Sequence, residues 1–179
     1  INGGISENSY NGEVPSNMLM DGDELCVIEA DESDGSIERY TPDLAVLTNI
    51  TLDHKTLKET RPLFKDFLTR TRKAVVMNLD DPESRKLKLD RPNIITFSAQ
   101  GNKEATLSAT HIKETIQGIH FDLNGEPTFL PMIGKHNIEN ALAAVGLCMH
   151  LNISIKESMQ ALQSFLGTKR RMTQIGVAN

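Results

Sequence analysis

Apolar runs of strand length punctuate the first hundred residues: Leu25 to Ile28, Leu44 to Leu47, Ala74 to Met77 and Ile94 to Phe97. Each has the make-up of a strand buried on both faces. Between the second and third runs, Leu57, Leu63, Phe64, Phe67 and Leu68 form a helical stripe over residues 57–71, with Pro62 placed near the helix start. Strands alternating with helices predict an α/β fold, a mostly parallel sheet with flanking helices.

The pattern changes over residues 105–133. Ala105 to Ile112, Ile116 to Leu123 and Thr128 to Ile133 are β-prone, and Asn124-Gly125 joins the latter two as a hairpin signal, so a small antiparallel β meander is expected. A helix follows with Ile138, Ala141, Leu142, Val145 and Cys148 on one face. A second opens with the capping box Ser154-Ile155-Lys156-Glu157 and is expected to run through Met159, Leu162 and Phe165 to Gly167.

Composition narrows the class. The chain has 179 residues, 39% hydrophobic and 24% charged, which is globular in character and close to one domain in size. A net charge of -5 opposes a phosphate backbone, so no nucleic-acid partner is expected. The longest nearly apolar run, Ala141 to Met149, is too short for a membrane span, so no membrane partner is expected either. Cys26 and Cys148 sit in apolar stretches as free thiols, which fits a reducing cytoplasm. The start, Ile1-Asn2-Gly3-Gly4, reads as an internal position of a longer chain.

Candidate chemistry falls in four segments. Glu29-Ala30-Asp31-Glu32-Ser33-Asp34-Gly35 follows the first expected strand, where open α/β sheets form their ligand crevice. A hard oxygen donor such as Glu29 suits Mg²⁺ beside a phosphate, with a solvated acidic loop as the alternative. Thr48-Asn49-Ile50-Thr51-Leu52-Asp53-His54 follows the second strand, and His54 could ligate a metal through one ring nitrogen, or serve a surface or capping role. In Gly134-Lys135-His136-Asn137-Ile138-Glu139-Asn140, the carboxamides of Asn137 and Asn140 could read an adenine edge or act as successive caps. Gly167-Thr168-Lys169-Arg170-Arg171 could clamp phosphate oxygens or complement a helix C-terminus.

In this order the segments resemble the central ATP-binding domain of the Mur ligases of peptidoglycan synthesis. The likeness is nearest to the UDP-N-acetylmuramate–L-alanine ligases, with the murein tripeptide ligases next. It rests on Glu29 to Ser36, Thr48-Asn49-Ile50 with Asp53-His54, Gly134 with His136-Asn137 and Asn140-Ala141, and Phe165-Leu166-Gly167 with Arg170-Arg171. The resemblance implies a P-loop NTPase-like domain using ATP and Mg²⁺, with Glu29 and His54 as metal ligands. It places Asn137 and Asn140 against the adenine, His136 and Arg171 at the nucleotide, and Glu29, His54 and Arg171 in catalysis.

The implied partners are a UDP-MurNAc-type sugar nucleotide and an amino acid or peptide, joined through an acyl phosphate. Residues 1–168 are expected to be the central domain without its upstream phosphate loop, since no Gly-x-x-x-x-Gly-Lys-[Ser/Thr] occurs. Residues 169–179 are expected to begin the connection to a C-terminal domain, with a UDP-binding domain also belonging to the whole protein. Thr51 stands where the L-alanine ligases usually carry Glu, and Lys55-Thr56 where a Leu or Met precedes Asp. The alternatives are a degenerate Mur-like nucleotide-binding or regulatory module and a tripeptide-recycling ligase.

Overall fold

β1 (Leu44–Leu47), β2 (Ala74–Asn78) and β3 (Ile94–Ser98) lie side by side in parallel. α1 (Leu57–Arg70) connects the first pair and the short α2 (Pro82–Lys86) the second. β4 (Leu107–Thr115) continues the parallel order beside β3. β5 (Gly118–Leu123) and β6 (Glu126–Leu130) then turn back antiparallel, giving one six-stranded sheet in the order β1-β2-β3-β4-β5-β6. α3 (His136–His150) and α4 (Ile155–Gln163) complete the described chain. The computed structural model describes residues 25–30, 32, 35–51 and 56–165. The chain divides into two units, Ala30–Gln163 and a second made of Ile1–Glu29 with Ser164–Asn179.

The alternation of side chains along a strand explains the layers. On one face of β2, Val76 packs with Phe97, Ile138, Ala141, Leu142 and Val145, so α3 covers that face. On the other, Val75 and Met77 pack with Ala45, Leu47, Phe67 and Leu68, so α1 covers it. All five residues of β2 are buried as a result, as expected of a parallel strand with both faces covered. The meander is no separate layer: Phe97 pairs with Leu107 and Ser98 with Ser108, which joins it to the parallel part.

The Asn124-Gly125 turn adopts the predicted form, with φ of 52° and 91° and Leu123 paired with Glu126 across a two-residue loop. The Ser154 box also forms: Glu157 accepts from the Ser154 backbone at 3.0 Å and returns its own N–H to Ser154 Oγ at 3.2 Å.

Several expectations are corrected. Leu25 to Ile28 forms no strand, and Leu25, Val27 and Ile28 are 71%, 80% and 45% exposed. An apolar run becomes a strand only when a neighbour satisfies its backbone groups and covers its faces, and among the described residues none does so here. Cys26 is accordingly exposed, not a core thiol. α1 begins at Leu57, so Pro62 lies inside the helix instead of at its start. α4 ends at Gln163, leaving Phe165 outside it, and Gly167 lies outside the described residues.

Candidate functional site

The carboxyl ends of β1, β2 and β3 lie along one edge of the sheet, because the three strands are parallel and in register. Each strand hands over there to a polar segment: Thr48-Asn49-Ile50 after β1, Leu79-Asp80-Asp81 after β2, and Ala99-Gln100 after β3. In a parallel α/β sheet this edge is where ligands are bound.

Two adjacent carboxylates tie the edge together. Asp80 accepts from Ser98 Oγ and from the Ala99 backbone, both at 2.6 Å, which links the end of β2 to the end of β3. Ser98 Oγ in turn accepts from the backbones of Gln100 at 3.1 Å and Asn102 at 3.0 Å. Asp81 caps α2 by accepting from the Ser84 backbone at 2.7 Å, and the same oxygen reaches the Ile50 N–H at 3.2 Å, beyond β1. Asn78, 2% exposed, holds the turn by accepting from the Asp80 N–H at 2.8 Å.

Glu139, in the first turn of α3, feels this cluster. Burial raises its carboxyl above the ordinary value, Asp80 and Asp81 push it the same way, and His136 opposes them. The first turn of α3 therefore lies near enough to Asp80 and Asp81 for their charges to act on Glu139.

The start of α3 is shaped by its loop. Gly134 has φ 94°, and a Cβ on it would come within 2.5 Å of the His136 ring, so the imidazole lies directly over the glycine. The Gly134 N–H donates to Glu114 at the far end of β4 at 2.6 Å. Lys135 occupies the N-cap position, so Asn137 is not the cap. Asn137 is buried and donates through Nδ2 to the Ile133 carbonyl at 2.7 Å. Its Oδ1 accepts from Asn140 Nδ2 at 3.3 Å. The two carboxamides are thus joined: Asn137 is held inward, and Asn140, exposed, is the outer member of the pair.

The remaining expected residues stand as follows. Glu29 is exposed and follows no strand, so the expected placement at a strand tip is corrected. His54, Asp53, Asp31, Ser33, Asp34, Arg170 and Arg171 lie outside the described residues. No group of three or more His, Cys, Asp or Glu side chains among the described residues is arranged to hold a metal. Asp80 and Asp81 are what sequence reasoning missed. Their signal was available, since Asp80-Asp81-Pro82 follows a buried parallel strand by the same positional rule that selected Thr48 to His54.

A separate open groove of about 930 Å³ lies between the meander and α4, and its lining shares no residue with the strand-tip set. No helix among the described residues is long and apolar enough to cross a membrane.

The family model described as Mur ligase middle domain matches residues 7–148. The chain is 34% identical to the UDP-N-acetylmuramate–L-alanine ligase of Bartonella quintana, covering 98% of this chain and 40% of that protein. It is 31% identical to the enzyme of the same name from Jannaschia sp., covering 97% and 40%. The chain therefore spans about 40% of the length of these relatives. Among solved structures, the UDP-N-acetylmuramate:L-alanyl-gamma-D-glutamyl-meso-diaminopimelate ligase from Neisseria meningitides superposes with a TM-score of 0.72 at 23% identity, covering 94% of this chain and 57% of that one. The UDP-N-acetylmuramate-alanine ligase from Thermotoga maritima gives 0.62 at 25% identity, covering 76% and 32%.

Proposed function

Because this chain belongs to the Mur ligase family as its middle domain, we propose that it is the nucleotide-handling part of an ATP-dependent carboxylate–amine ligase. The whole protein joins an amino acid or peptide to a UDP-MurNAc-type precursor of the cell wall, in the cytoplasm and with Mg²⁺. Residues 1–168 are assigned to the central domain and 169–179 to the start of the connection to a C-terminal domain, with the UDP-binding domain elsewhere in the protein.

The observation that carries the reading is the edge formed by three parallel strand tips in a chain 34% identical to an L-alanine ligase. Its residues suit a nucleotide. The Asn140 carboxamide is steadied by Asn137 and offers both donor and acceptor to an adenine edge. His136 opens α3, whose N-terminal dipole end favours an anion. Glu29 and His54 are an oxygen and a nitrogen donor of the kinds that hold divalent ions, and Arg171 supplies donors for phosphate oxygens.

Glu29 and His54 would hold the Mg²⁺, which when bound would neutralise charge on the transferring phosphoryl group. This chain's residues orient and bind: Asn140 fixes the base, Arg171 clamps phosphate oxygens, and Asp80 and Asp81 hold the strand tips at fixed spacing.

The test uses the complete protein with ATP, Mg²⁺, the sugar nucleotide and L-alanine. Phosphate release that needs both acceptor and amine is the expected result, with a murein tripeptide in place of L-alanine separating biosynthesis from recycling. Glu29→Ala and His54→Ala should each abolish Mg²⁺-dependent turnover. Near wild-type rates in both variants would remove the metal-ligand assignment, and a wild-type protein that binds ATP without ligating would favour the regulatory module.

A further inference from the structure

We propose that Asp81 is a positioning residue for this reaction: its carboxylate latches the Thr48–Ile50 turn onto the sheet edge and so sets the side of the crevice that β1 delivers. The proposal rests on the ligase reading above, but its geometry stands on described residues alone.

One oxygen of Asp81 does two jobs. It accepts from the backbone and hydroxyl of Ser84, at 2.7 and 2.6 Å, as the cap of a five-residue helix. It also accepts from the Ile50 N–H at 3.2 Å, from a residue 31 positions earlier in the chain. Ile50 is 3% exposed, so its N–H has no ready access to solvent as a substitute acceptor. Asp80 makes the matching link toward β3 through Ser98 and Ala99. The Asp pair at the end of β2 therefore spaces the ends of β1 and β3, and a cap alone would require only the Ser84 bonds. Partners bonded directly to a metal ligand commonly alter affinity or activity by about 10- to 100-fold when removed. Asp81 acts one step further back, through the backbone four residues before His54, so the low end of that range is expected.

The cap and the latch can be separated in the complete protein. Asp81→Ser retains an effective N-cap residue for α2 but is too short to reach Ile50. Ser84→Ala loosens α2 and leaves the latch. Hydrogen exchange at the Ile50 amide, the melting temperature and the Mg²⁺ concentration for half-maximal turnover are read for each variant.

In Asp81→Ser, Ile50 should lose protection and the Mg²⁺ requirement should rise about 10-fold, with KM for the sugar nucleotide unchanged. Ser84→Ala should lower the melting temperature and leave the Mg²⁺ requirement as in wild type. An unchanged Mg²⁺ requirement or unchanged Ile50 protection in Asp81→Ser overturns the proposal, as does an equal rise in Ser84→Ala. If Asp81→Ser does not fold, Asp81→Thr, which also caps and is equally short, is judged by the same readouts, while Asp81→Asn, which keeps the length and an accepting oxygen, should retain Ile50 protection and the wild-type Mg²⁺ requirement. A wild-type protein without ATP-dependent ligation overturns the ligase reading instead, while the exchange arm still decides the latch.

Discussion

Two glutamates titrate in opposite directions, and their partners explain why. Glu83 accepts from Arg61 on α1 and from Lys86 at 2.6 Å, and these bonds lower its carboxyl from 4.5 to about 2. A depressed carboxylate contributes stability that is present above pH 4.5 and is lost as pH falls toward 2. Glu83→Gln should flatten that acid limb in a pH series of urea midpoints. Glu139 behaves inversely, since burial and Asp80 raise its carboxyl. Its contribution is complete below 4.5 and declines as pH rises through the raised value, so Glu139→Gln should be relatively stabilising near neutrality. Asp80 carries two bonds of 2.6 Å, and Asp80→Ala would leave Ser98 Oγ and the Ala99 N–H short of an acceptor. A loss of about 1–3 kcal/mol in chemical denaturation is expected for such orphaned buried groups.

At the scale of elements, local chemistry decides where pieces begin and turn, and packing decides whether they persist. The Asn124-Gly125 hairpin and the Ser154 box were legible because their signals act within a few residues. α3 was legible from its spacing, but its closeness to the sheet was not. At Gly146 a Cβ would approach Val76 Cγ1 to 2.6 Å, so the glycine lets the helix sit down on β2. Gly146→Ala should improve helix propensity yet destabilise the protein by about 1–2 kcal/mol, since overpacking typically costs about 1–3. A thermal melt higher than wild type would refute this. Leu25 to Ile28 shows the converse case, a strand-like run that stays unpaired.

For the whole molecule, both faces of β2 are covered by close-packed side chains, so the strand that ends in Asp80 and Asp81 is held from both sides. The phosphate loop is absent from these 179 residues, so the chain by itself should show no ligation in the assay above, even where it binds nucleotide. Periodicity determined the alternation of strand and helix and the meander, because residue type and spacing record which side chains are to be buried, while the family likeness came from the polar motif segments themselves. Only the tertiary structure decided that Asp80 and Asp81 tie three strand ends together and that Asn137 faces inward as the support of Asn140. The Asp80 and Asp81 roles depend on hydrogen bonds to residues 18 to 31 positions away, partners that meet only after the sheet has assembled, whereas the Asn137 bonds are local and its inward side was set by the packing of α3.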